Sequence, residues 1–333
     1  MAGKIKGMKN KHQPVLNALL FCSLASNAPA FAGTVESARV KTLEASVKIF
    51  EDRGQIKEIS YVDQLLGLAD AYRADGRRAE AQATFRKAIA IGSKLPYFDI
   101  PHAMLMWATA LTQEPQTKAK MSEPELKDFA RLKAAYEKDL PNAEKILNEG
   151  LELVRKLPPQ SDSRLNYMIG SIRFYKATKK KAQMQAKIGE LDLQIQALER
   201  DQKLPVAEIP RLAEKIKSAS QLFAQVPQNS YATAMVPATV VPDNQAETPG
   251  RIKQSDFNLA EKYQLNAIAL YDRLPEKDLQ RIDAHRNLAQ WYSFLNQTPK
   301  AMAQTQILSK LLHTTDRNIL FPPKDPCYGC GRG

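Results

Sequence analysis

The sequence predicts an all-α fold, an irregular solenoid of helical hairpins, and three observations carry that reading. Residues 61–96 read as helix, break, helix. Leu65, Leu68, Ala69 and Tyr72 share one helical face, Gly76 interrupts, and Ala81, Phe85 and Ala88 share one face of a second helix. Four segments then end alike, in Lys94-Leu95-Pro96, Lys156-Leu157-Pro158, Gln225-Val226-Pro227 and Arg273-Leu274-Pro275. Counted back from each proline, Ala88, Gly150, Ala219 and Ala267 coincide. A proline cannot continue a helix, and a small residue at a fixed distance before it lets a neighbouring helix approach closely. Finally, strand-like alternation is absent and glycine is scarce inside the periodic segments. A hairpin of this kind cannot bury its apolar face alone, so it requires stacked neighbours.

Residues 1–32 read as a secretory signal. Lys4, Lys6, Lys9 and Lys11 make a basic start, Val15–Ala25 is a short apolar run, and Ala30-Phe31-Ala32 places small residues where a signal peptidase reads, predicting a cut before Gly33. The run is too short for the roughly 20 residues of a spanning helix. Two other readings are an uncleaved anchor and a lipoprotein at Cys22, which Phe21 disfavours. Of the whole chain's net +12, removal of four lysines leaves 44 basic against 36 acidic residues, or +8. That charge suits solubility and an acidic partner or anionic surface. No zinc-finger spacing or glycine-aromatic motif points to nucleic acid.

The mature chain divides into a helical repeat region (33–225), a linker (226–254), C-terminal helices (255–315) and an extended tail (316–333). After 61–96, helices are expected over 99–112, 124–138, 143–158, 162–177, 183–202 and 212–227. The proline spacings of 62, 69 and 48 residues make the array irregular. Met184, Ile188, Leu191, Ile195 and Leu198 form a narrow stripe that reads as ordinary helix packing. Residues 226–254 are rich in Pro, Thr, Ala, Asn and Gln without helical period, so they read as a flexible connector. Ser255 is a good N-cap for a helix over 256–274, and helices over 278–296 and 299–314 follow. In the last pair Leu288, Ala289, Tyr292 and Ala301 stand where Leu68, Ala69, Tyr72 and Ala81 stand in the first. Asn296 replaces Gly76, since Asn tolerates a left-handed backbone.

The first hairpin resembles a tetratricopeptide repeat (TPR), at Leu65, Leu68, Ala69, Tyr72, Gly76, Ala81, Phe85 and Ala88, and 279–314 resembles a weaker copy. The resemblance implies a surface that binds other proteins and no reaction of its own. It implies that the inward positions of the first helix of each pair contact the partner. In this chain those are Asp63, Leu66, Asp70 and Arg73, then Asp283, Arg286, Gln290 and Ser293. Such a mixed-charge lining suits an extended peptide or a partner helix.

Catalytic motifs are missing from the sequence: no nucleophile elbow, phosphate loop or dinucleotide fingerprint. His102, His285 and His313 are isolated and read as surface or helix-face residues. Cys327 and Cys330 remain in the tail. Gly331 stands where c-type haem attachment needs His, and the prolines around the pair disfavour a thioredoxin-like site. A local disulfide or two free thiols are left, the disulfide favoured in an oxidising compartment. The sequence therefore points to an exported, non-catalytic scaffold of the bacterial envelope that binds protein partners in the periplasm or outside the cell, without cofactor or metal. The alternative is a thiol-redox or metal-handling accessory protein acting through Cys327 and Cys330.

Overall fold

A computed structural model describes residues 32–112, 122–224, 238–245 and 251–322 of the chain. The signal segment up to residue 31, most of the linker and the Cys327/Cys330 pair lie outside the described residues. The architecture is all-α, built from consecutive helices packed in pairs. Among the described residues no helix is long and apolar enough to cross a membrane. The chain falls into two compact units that divide after Pro96.

The first unit holds α1 (Ala32–Asp52), α2 (Ile59–Ala74) and α3 (Arg78–Gly92). Helix α2 packs against both α1 and α3. Its core contains Leu65, Leu68, Ala69, Ala81, Phe85 and Ala88 of the face read from the sequence, joined by Tyr61 and Val62, while Tyr72 is half-buried. Gly76 takes φ +77 in the turn, a left-handed conformation that glycine adopts without steric cost. Helix α1 has no distinct apolar stripe in the sequence: among its described side chains only Val40 and Val47 are buried.

The second unit begins with α4 (Ile100–Leu111), capped by Asp99, whose carboxylate accepts from the His102 amide at 2.9 Å. It pairs with α5 (Glu123–Val154). The sequence predicts two helices here, over 124–138 and 143–158, and the structure has one. Pro141 lies inside α5. Pro141 and Glu137 are both exposed, so water can take the carbonyl that proline leaves unbonded. Then follow α6 (Asp162–Ala177) with α7 (Lys181–Arg200), α8 (Ile209–Ser220) with α9 (Gln254–Tyr271), and α10 (Leu279–Phe294) with α11 (Thr298–Leu312). A last turn, α12 (Arg317–Leu320), forms at the start of the expected tail and buries Leu320 against Ile282, Ala289 and Leu308.

Between α8 and α9 the structure adds two short strands, β1 (Thr239–Val241) and β2 (Arg251–Lys253), paired in parallel with Val240 opposite Ile252. The N-cap expected at Ser255 is replaced. Helix α9 starts at Gln254, and the Ser255 amide donates to the Asp243 carboxylate at 2.9 Å, a cap from twelve residues upstream.

The proline register holds for three of the four segments; α8 already ends at Ser220, and Pro227 lies outside the described residues. Helices α3, α5 and α9 end four residues before Pro96, Pro158 and Pro275. Ala88, Gly150, Ala219 and Ala267 are all buried. Gly150 shows why: a Cβ there would stand 2.1 Å from the Tyr167 hydroxyl of α6, which donates to Leu147 O at 2.6 Å.

Candidate functional site

Three hairpins repeat one local geometry: α2–α3, α6–α7 and α10–α11. In each, a tyrosine (Tyr72, Tyr175, Tyr292) stands four residues before a left-handed residue, Gly76 at φ +77, Lys179 at φ +58 and Asn296 at φ +57. The amide one further on returns to the tyrosine carbonyl: Arg77 to Tyr72 at 2.8 Å, Lys180 to Tyr175 at 2.9 Å, Gln297 to Tyr292 at 2.8 Å. The α6–α7 copy is absent from the sequence reading, because Lys179 replaces the glycine or asparagine and Met184 the alanine. The tyrosine spacing was the available signal.

In all three a cation bonds a glutamate on the helix before the hairpin, and in two of them the tyrosine hydroxyl bonds the same glutamate. Tyr72 donates to Glu44 at 2.8 Å, and Arg77 bonds Glu44 at 3.3 Å while lying over the Tyr72 ring. Tyr292 donates to Glu261 at 2.7 Å, and Lys300 bonds Glu261 at 2.6 Å. Lys180 bonds Glu144, whose charge also acts on Tyr175. Burial first, and the glutamate second, push the Tyr72 and Tyr292 phenols above their ordinary range, so they stay donors at any physiological pH.

The inward positions inferred from the resemblance fall as follows. On α2, Asp63 is exposed, and Leu66, at 6 % exposure, is part of the first unit's core with almost no surface for a partner. Asp70 is bound by Arg73 at 2.8 Å and by Arg39 at 3.5 Å. On α10, Asp283, Gln290 and Ser293 are exposed along one stripe. Arg286 is half-buried, bonding Asp283 and donating to Leu320 O at 2.6 Å, which ties α12 to α10.

Beside that stripe α8, α9 and α10 enclose a groove of about 160 Å³. Helix α9 contributes Gln264, Ala267, Ile268 and Tyr271. One wall is Pro210, Glu214 and Lys217 of α8, the other Gln280, Asp283, Ala284 and Asn287 of α10. Of these only Asp283 is among the residues inferred from the sequence. The others come together from three helices only by tertiary packing, so no local pattern marks them. Glu214 and Lys217 form a pair at 3.3 Å. Burial and then Glu214 push the Tyr271 phenol up to about 12, so it stays neutral, with its hydroxyl donating to Pro210 O at 3.4 Å. The groove thus offers apolar contact from Ile268 and Ala284, primary amides from Gln280 and Asn287, and ion pairs at its rim.

His285, expected on a surface or helix face, is 2 % exposed. Its Nε2 lies 3.0 Å from Asp272 Oδ1 at the end of α9, and its Nδ1 2.9 Å from Gln304 Oε1 on α11. His102 and His313 are exposed, His313 at φ +51 as the left-handed cap of α11. Among the described residues no cluster of three or more His, Cys, Asp or Glu side chains suits a metal ion.

No protein-family model matches this chain, and no curated protein matches it. Among solved structures, the crystal structure of BtubC (BKLC) from P. vanneervenii aligns over 85% of this chain and 90% of that one, at 15% identity and a TM-score of 0.36. So remote a likeness adds nothing to the geometry above.

Proposed function

We propose that this chain is an exported, TPR-like scaffold that holds a segment of a partner protein along the α8–α9–α10 groove and catalyses nothing. The observation that carries the reading is the repeated hairpin register, which leaves the exposed stripe of α10 beside a groove lined by amides and small apolar side chains. A primary amide presents N–H donors and a carbonyl acceptor side by side, as an extended peptide main chain also does. Gln280 and Asn287 therefore suit main-chain recognition, while Ala284 leaves room for a side chain. Export rests on the basic, apolar and small-residue segments ahead of Gly33. The mature charge of +8 fits an acidic partner better than a basic one.

The test is a photoreactive amino acid placed at Asn287 in the groove and, as control, at Gln196 on the exposed side of α7. Irradiation of living cells should yield a discrete polypeptide adduct from position 287 and none from 196. Adducts from 196 alone would remove the groove from the proposal.

A further inference from the structure

We propose that His285 is a protonation-controlled latch: as an imidazolium it ties the end of α9 to the α10–α11 hairpin and so fixes the spacing of two of the three helices that form the groove. The effect on docking rests on the groove reading above; the latch does not.

Geometry carries the proposal. The ring is buried, and each of its nitrogens faces an oxygen, Asp272 Oδ1 at 3.0 Å and Gln304 Oε1 at 2.9 Å. A neutral imidazole has one N–H and one lone pair, so it can donate to only one of two acceptors; the imidazolium donates to both. Asp272 follows the last residue of α9, next to the groove residue Tyr271, and His285 follows the groove residue Ala284 on α10. The three bonded groups therefore bridge α9, α10 and α11 next to the groove. The charged groups facing the ring are Asp272 from the end of α9, which favours the proton, and Arg281 of α10, which opposes it and also bonds Asp272 at 3.1 Å. Helix α11 presents the neutral Gln304, and among the described residues α12 bonds no charge to the ring.

Burial pushes the imidazole pKa down; the bonds to Asp272 and Gln304 outweigh it, leaving the value above that of ordinary histidine. Loss of the proton leaves a lone pair facing the Gln304 oxygen, so that contact survives only by turning the Gln304 amide over, and the bond to Asp272 loses its charge.

The experiment is a histidine-resolved NMR titration of the full chain, with His285→Gln to assign the resonance and Asp272→Asn as the partner variant. The latch requires a His285 midpoint above about 6.5, the unperturbed value, and a fall of that midpoint in Asp272→Asn. A midpoint at or below that value, or one that Asp272→Asn does not move, overturns the latch. If either variant fails to fold, Gln304→Met serves as the second test, since it removes the other acceptor and must also lower the midpoint. Adduct yield at Asn287, measured across the same pH range, should fall as His285 loses its proton and stay flat in His285→Gln. A flat wild-type yield refutes the coupling to the groove, whereas the absence of adduct at every pH refutes the docking reading instead.

Discussion

Replacing Gly150 by alanine should destabilise the second unit, although alanine is the better helix former. In an open helix the exchange stabilises by about 1 kcal/mol. At Gly150 the new Cβ would stand 2.1 Å from the Tyr167 hydroxyl, 2.7 Å from Cζ and 2.9 Å from Cε2. Tyr167 has nowhere to go: it is 1 % exposed and donates to Leu147 O at 2.6 Å. Forced overpacking costs about 1–3 kcal/mol, and displacing a buried hydroxyl from its acceptor costs about 1 kcal/mol more. Setting the helix gain against both leaves a net loss of about 2 kcal/mol. Gly189 is the control, because a Cβ there meets nothing within 4 Å, and Gly189→Ala should stabilise by about 1 kcal/mol. Urea unfolding followed by tryptophan fluorescence reads the right part of the molecule, since both tryptophans, Trp107 and Trp291, belong to the second unit. Gly150→Ala at or above wild-type stability would refute the idea that the small residue before each proline sets helix approach.

Glu261→Ala should cost about 1–3 kcal/mol, because the buried Tyr292 hydroxyl loses its acceptor and Lys300 its partner; the same urea transition reports it. Lys179→Gly should stabilise by about 0.5–1 kcal/mol, since glycine takes the observed φ of +58 without the cost lysine bears; a neutral or lower midpoint would contradict the shared turn geometry. The pH profile of stability should fall on both sides. His285, with its folded pKa raised, contributes stability that is complete below about 6.5 and is lost as pH rises through the folded value. Asp272, held low first by its bond to His285, contributes above about 3.9, and that contribution is lost as pH falls through its depressed folded value. Calorimetry across the range should show His285→Gln removing the loss on the alkaline side.

Much of the fold is legible in the sequence because its signals are local. A proline fixes where a helix stops, and a small residue eight positions earlier marks a close approach. Asn296 announces its left-handed turn because asparagine tolerates that backbone. Features that failed to show have the opposite character. Lys179 takes the same φ without a residue type that signals it, so the α6–α7 copy stays hidden. Pro141 falls between the helices expected over 124–138 and 143–158, yet an exposed proline lets α5 run on. The cap of α9 comes from Asp243 across a loop, and no window around Ser255 contains it. The candidate site is the least legible part. Asp283, Gln290 and Ser293 follow from helical register, but Glu214, Gln264 and Tyr271 reach the groove only through tertiary packing, and the bridge at His285 joins residues from three helices.

What touches the exposed stripe of α10 tests the proposed docking most directly. Moving a photoreactive residue one position at a time from Gln280 to Ser293, in cells, should give polypeptide adducts that rise and fall with the helical period and peak at Asp283, Asn287 and Gln290. Adduct yields that are flat along the helix, or absent at those three positions, would contradict it.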